Sequence, residues 1–333
     1  MKRRTLLATA AALAMSAAAA FAADDKPAIV FDIGGKFDKS FNESMYNGSE
    51  KFKTDTGIQY GEFEIANEAQ REQAIRNFAD QGYSPIIAAG FAQAAAVEKV
   101  AKEYPELKFA IVDMVVDLPN VESIVFKEHE GSYLVGMLAA MASKTGKVGF
   151  VGGMDIPLIR KFACGYAQGV KAVNPDATIF QNMTGDTGAA WNDPVKGGEI
   201  TKGQMSQGAD VIYAAAGATG LGVLQAAADG GALSIGVDAN QNYLHPGKVL
   251  TSMLKRVDVA VYNVMKDGKD GTFQAGIKAL GLAEDGVGYA MDENNKDLVT
   301  ADMQAKVEAA KADIIAGKIT VHDYTEDNAC PVQ

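Results

Sequence analysis

From Ala28 onward, short and almost uninterrupted apolar runs alternate with amphipathic segments. Such runs suit strands buried on both faces of a parallel sheet, and the alternation is that of βαβ units. Strands are predicted at Ala28–Ile33, Gln59–Ile65, Pro85–Ala89 and Phe109–Val112, with helices at Ser40–Thr54, Glu68–Gln81 and Ala92–Glu103. Gly57 and Gly82 stand where a C-cap would close the first two helices. Val121–Phe126 adds a strand, and Gly131–Ser143, small or apolar all round, predicts a buried helix. The rhythm then restarts, with strands at Lys147–Val151, Thr178–Asn182, Val211–Ala215 and Leu233–Val237 and helices at Ile156–Val173, Pro194–Gln207 and Leu221–Asp229. Val249–Lys255 reads as a strand, Val259–Met265 as a helix, residues 266–271 as a polar turn, Ala301–Ile315 as a helix and Ile319–His322 as a short strand. Two serial α/β lobes without a long linker imply a cleft between facing strand edges, the default ligand site.

The start of the chain changes where this body is expected to work. Met1-Lys2-Arg3-Arg4, the apolar run Leu6–Ala20 and the small-x-small site Ala20-Phe21-Ala22 predict a signal peptide over residues 1–23, cut near Ala22 or Ala23. Arg3-Arg4 reads as the basic start of a general secretory signal in preference to a twin-arginine one. The run is shorter than the roughly 20 residues that span a bilayer, and no cysteine marks a lipid-attachment site, so a free periplasmic protein is expected. Some ~310 residues remain, enough for two domains of the usual ~100–200 residues.

Charge and cysteine content exclude several functions. The chain has a formal net charge of −11; the leader holds Lys2, Arg3 and Arg4 and no acid, so the remainder is near −14. That sign opposes nucleic acid and anionic membrane surfaces as partners. Two cysteines, Cys164 and Cys330, are a possible disulfide or two separate thiols. Paired, they would close a long loop worth about 4–5 kcal/mol of chain entropy. Three scattered histidines and no CxxC support neither a zinc site nor a dithiol centre.

Candidate chemistry gathers where strands end. The stretch Phe31-Asp32-Ile33-Gly34-Gly35-Lys36-Phe37-Asp38-Lys39-Ser40-Phe41-Asn42 leaves a strand, crosses a glycine turn and enters a helix. There Asp32 offers a carboxylate, Phe41 a stacking face and Asn42 an amide, while Ser40 is expected to cap the helix. Asp113, Asp238 and Lys255 close later strands, Trp191 is the single tryptophan in a polar loop, and Gly217 opens a glycine-rich turn. That turn lacks the P-loop ending and the dinucleotide spacing. Taken singly, a strand-terminal aspartate more often serves its turn. Together the set offers two aromatic faces, three carboxylates, an amide and a lysine. That combination fits a nucleoside better than a phosphate-bearing nucleotide, because the carboxylates would repel phosphate; a plain sugar stays open. No histidine lies in these turns and no nucleophile elbow or Asp-rich metal cluster occurs, so neither catalysis nor a cofactor is expected.

These residues resemble the basic membrane protein family of substrate-binding proteins for ABC transporters, the group containing the purine-nucleoside receptor of spirochaetes. The resemblance spans the mature chain. Its most specific marker is Asp32 to Asn42, which matches an Asp-x-Gly…Asp-x-Ser-Phe-Asn motif, with support from Ile111-Val112-Asp113, Gly217–Gly222, Gly236-Val237-Asp238 and the strand ending in Lys255. It implies an α/β type I periplasmic-binding fold of two doubly wound parallel-sheet lobes, with chain crossings near Phe126–Lys127, Val249–Lys255 and Leu282–Tyr289. The first lobe would be 24–127 with about 252–284, and the second 128–251 with about 285–333. It further implies that Phe41 stacks a base, Asn42 and Asp113 read its edge, Asp238 and Lys255 hold the ribose, and Asp32 and Gly217 line the cleft. Trp191 stands where the family commonly has phenylalanine. Many relatives are lipoproteins; this chain departs from them there. The implied role is a monomeric periplasmic receptor that delivers a nucleoside to ABC permease subunits, a purine nucleoside foremost. The alternatives are a receptor for a sugar, free base or flavin, or an exported nucleoside-acting enzyme.

Overall fold

Two six-stranded sheets divide the apolar runs between them in the computed structural model, which describes residues 26–332. The expected leader lies outside the described residues. In chain order the strands are β1 (Ala28–Phe31), β2 (Gly61–Glu64), β3 (Ile86–Ala88), β4 (Phe109–Val112), β5 (Val121–Phe126), β6 (Lys147–Met154), β7 (Thr178–Gly185), β8 (Val211–Ala215), β9 (Leu233–Asp238), β10 (Val249–Lys255), β11 (Gly276–Leu280) and β12 (Val287–Tyr289). The helices are α1 (Phe41–Thr56), α2 (Gln70–Asp80), α3 (Ala94–Glu103), α4 (Glu128–Ala142), α5 (Pro157–Val173), α6 (Pro194–Ser206), α7 (Thr219–Asp229), α8 (Val257–Asp270) and α9 (Ala301–Ile315).

The first sheet runs β11-β5-β4-β3-β1-β2 and the second β12-β10-β9-β8-β6-β7. Pairing is parallel throughout except for β12, which joins β10 antiparallel. Inner strands such as β1, β3, β4 and β8 are buried along their whole length, which is why they read as continuous apolar runs. The chain passes from one sheet to the other after β5, after β10 and between β11 and β12. All of β10, through Lys255, therefore belongs to the second sheet, so residues 252–255 do not sit with the first lobe as expected.

Three further differences have local causes. The stretch 266–271 is not a turn: α8 continues to Asp270 and ends at Gly271 in the left-handed region (φ 70°). Lys266 and Asp270 pair one helical turn apart, and Gly268 lies against the ring of Pro85, where a Cβ would fall 2.5 Å from Cδ. Residues 319–322 form no strand. There the Gln168 amide takes the place of a neighbouring strand, donating to the His322 carbonyl (3.0 Å) and accepting from its N–H (2.8 Å). Strands β11 and β12 lie outside the expected strands, because β11 is a mostly exposed edge and β12 has three residues. Cys164 on α5 and Cys330 form a disulfide, with Cα atoms 5.6 Å apart.

Candidate functional site

A cavity of about 620 Å³, its open mouth included, lies between the carboxyl edges of the two sheets. Asp32, Phe41, Asn42, Asp113, Trp191, Gly217, Asp238 and Lys255 all line it. The first four come from turns of the first lobe, and the other four from the second. The location follows from parallel topology, since every strand but the antiparallel β12 points its carboxyl end at the same edge of its sheet.

The turn from β1 to α1 is built around Asp38. One carboxylate oxygen accepts from the N–H groups of Ser40 (2.8 Å) and Glu43 (3.0 Å), and the other from Asn42 (3.0 Å), so Asp38 caps α1. Ser40, expected as the cap, makes no side-chain bond to the helix. Its hydroxyl instead donates across the cleft to Asp238. A second cross-lobe bond runs from the Gln241 amide to the Lys39 carbonyl, 3.0 Å. Asn42 is buried, and its amide is already committed to the backbone of Asp32: Oδ1 accepts from the N–H at 3.1 Å and Nδ2 donates to the carbonyl at 3.2 Å. Asp32 is held by the guanidinium of Arg71 on α2, 3.2 Å away. Burial raises its carboxyl above the usual range, against the Ile33 N–H and Arg71, which lower it.

Opposite this turn, Trp191 packs on the backbone of β6. A Cβ at Gly153 would collide with the indole, so only glycine lets the ring lie there. Gly217, at φ 56°, sits beside the Trp191 carbonyl. Phe91, Leu158 and Phe162 complete an apolar wall. No histidine is among the residues that line the cavity.

Asp113 and Asp238 end equivalent strands, β4 and β9, and both adopt left-handed backbone conformations, φ 71° and 63°. A non-glycine residue there costs of order 1 kcal/mol and persists only where its surroundings impose it. Burial raises the carboxyl of Asp238 to about 6, although Lys255 and the Ser40 hydroxyl pull it down. Asp38 is likewise raised to about 6 by burial, against its three N–H donors. Burial also raises Asp113, opposed by Lys255 and helped by Glu128.

Lys255 is almost wholly buried, and its ammonium lies 2.7 Å from Asp113 and 3.0 Å from Glu128. The rings of Phe41, Phe126 and Phe162 surround it, their centroids 5.2–5.5 Å away. Burial depresses its proton affinity, but Asp113, Glu128 and Asp238 outweigh that and raise it above the ordinary lysine value. Sequence reasoning missed Glu128, Asp38, Arg71 and Lys161. A trace existed for two of them: Glu128 stands at the start of a helix whose later turns are small or apolar, and Lys161 interrupts an apolar face of α5.

Comparison with known proteins places these features among relatives. A family model described as "ABC transporter substrate-binding protein PnrA-like" matches residues 26–325. A "CD4+ T-cell-stimulating antigen" of Listeria monocytogenes is 38% identical, covering 88% of this chain and 87% of its own. An "ABC transporter nucleoside-binding protein BmpA" of Lactococcus lactis is 35% identical over 90% and 89%. Among solved structures, an ABC transporter solute-binding protein from Aeropyrum pernix superposes with a TM-score of 0.83 at 30% identity, covering 91% of this chain and 94% of that one.

Proposed function

We propose a ligand and a route for this chain, which belongs to the Bmp family of PnrA-like ABC transporter substrate-binding proteins. The ligand is a nucleoside, a purine nucleoside foremost, taken up in the periplasm and passed unaltered to a permease. One observation carries this reading: aromatic faces and carboxylates from both lobes meet in one cavity whose only lysine or arginine is already paired. Four aspartates, Asp32, Asp38, Asp113 and Asp238, line it against the single ammonium of Lys255, which Asp113 and Glu128 engage. A phosphate would find no free cation and several like charges. A neutral molecule with a flat ring and hydroxyl or N–H donors meets acceptors and stacking faces instead.

Within this reading Phe41 and Trp191 flank the base, Asp113 accepts from its edge and Asp238 from the ribose hydroxyls. Asn42 acts by holding the Asp32 turn, because its amide is engaged there. Contacts to both lobes favour the closed arrangement, so ligand shifts an open–closed population. Calorimetry of the mature protein against nucleosides, free bases and simple sugars tests this. One-to-one saturation by nucleosides, with no free base or ribose released on long incubation, is the expected result. Binding of sugars alone sinks the nucleoside reading, and release of base would make the protein an enzyme.

A further inference from the structure

Trp191 reaches the cavity from a loop, and a stacking face serves a ligand best when the ring already stands in place. The loop leaves β7, makes one 3-10 turn (Gly188–Trp191) and ends at Pro194, where α6 begins. A single hydroxyl spans it. Thr219, wholly buried in the first turn of α7, donates through Oγ1 to the Ala190 carbonyl at 2.8 Å and accepts from the Asp193 N–H at 2.7 Å. Those two backbone groups stand on either side of Trp191-Asn192, so one side chain clamps both ends of that span. Both of its partners belong to the loop and none to α7.

The surroundings hold the clamp itself. Thr184, near the end of β7, donates to the same Ala190 carbonyl at 3.0 Å, and the Asp193 carboxylate accepts from the Lys196 N–H at 2.9 Å, which ties the loop to α6. Gly197 of α6 leaves room for Thr219: a Cβ there would fall 2.5 Å from the Thr219 carbonyl oxygen and 3.0 Å from its methyl. The methyl is therefore packed, the hydroxyl is engaged as both donor and acceptor, and the residue does not itself line the cavity. We propose that Thr219 is a positioning residue for the ligand site: its hydroxyl fixes the backbone on both sides of Trp191 and so presents the indole to the cavity already ordered. This rests on the proposed role of Trp191 as a stacking face. Without the hydroxyl, the Asp193 N–H turns to water and the Ala190 carbonyl keeps Thr184 alone. The loop must then be ordered as a ligand arrives, and that cost offsets part of the stacking.

Trp191 is the single tryptophan of the chain, so tryptophan fluorescence reports on this ring alone. Thr219→Val keeps the shape and removes the hydroxyl, whereas Thr219→Ser keeps the hydroxyl and removes the methyl. In the ligand-free mature protein, Thr219→Val lowers the fluorescence anisotropy of Trp191 and raises its quenching by iodide, and Thr219→Ser matches the parent. By calorimetry, Thr219→Val binds inosine about fivefold more weakly, and Thr219→Ser stays within about twofold of the parent. In a Trp191→Ala background, Thr219→Val costs nothing further, because the ring it positions is gone. Parent-like anisotropy or parent-like affinity in Thr219→Val overturns the proposal, and so does a loss that persists undiminished in the Trp191→Ala background, which would mean that the hydroxyl serves the fold at large. Should circular dichroism show Thr219→Val to be unfolded, Thr219→Ala carries the same comparison without added bulk. If inosine does not bind the parent protein, the nucleoside reading fails, while the anisotropy of the ligand-free ring still decides the clamp.

Discussion

The two lobes share one strand order, yet they bring different chemistry to the cavity. In the first, residues 32–40 separate β1 from α1, a connection long enough to hold Asp32 and Asp38 and to deliver Phe41 and Asn42. In the second, only Asp155 and Ile156 join β6 to α5; Asp155 pairs with Arg160 at the surface, and Leu158, Ile159 and Phe162 of the helix face the cavity instead. Strand β5 ends on Phe126, and its counterpart β10 ends on Lys255. Only the aspartates after β4 and β9 repeat, down to their left-handed backbones. A shared topology thus supplies equivalent positions, and connection length and strand-end identity decide what each position does.

Breaking the contact that joins the lobes through Lys255 has the largest expected effect. Lys255→Met leaves Asp113 unpaired in the interior and Glu128 with Lys161 alone, costing roughly 3–5 kcal/mol in denaturant titrations and abolishing ligand binding. Next come the two repeated aspartates. Asp238→Ala is expected to weaken nucleosides by about 1.5–3 kcal/mol while barely changing free bases, whereas Asp113→Ala weakens both alike; equal losses for Asp238→Ala remove its ribose role. Trp191→Ala loses about 1–3 kcal/mol of stacking by calorimetry, and Trp191→Phe keeps most of it.

The pH dependence follows from burial. The Asp238 carboxyl, raised to about 6 by burial, is protonated below that pH. With a folded value above the ordinary one, this group makes the ligand-free protein lose stability as pH rises from about 4 through 6. Ligand donors favour the ionised carboxylate, so affinity runs the other way and falls by about tenfold for each unit below 6. Fluorescence titrations between pH 5 and 8 check this, and a flat profile would remove Asp238 from the contacts. The smallest effect belongs to the latch: Ser40→Ala costs about 1 kcal/mol, seen as faster ligand release in stopped-flow traces.

Legibility differed by element for physical reasons. Inner strands announced themselves because burial on both faces leaves no polar alternation, and their polar ends stood out against it. Edge strands β11 and β12 carry no such contrast. Ser40 has the sequence signature of a cap, but Asp38 reaches the free N–H groups first, and only the folded chain brings Asp238 to the Ser40 hydroxyl. Glu128 and Lys161 stand beside apolar stretches in the sequence, but their partners Lys255 and Asp323 are far along the chain and meet them only on folding. The eight candidate residues could be named from strand ends, the turns and helix starts that follow them, and one tryptophan in a polar loop; which hydrogen bonds each one retains for a ligand could not.

The most direct test of the central claim is a calorimetric comparison of one purine nucleoside with its own 5′-monophosphate on the mature protein. Saturation by the nucleoside at one per chain, with no heat from the monophosphate, is the result expected of a cavity whose only ammonium is already paired. Equal binding of the two would contradict it.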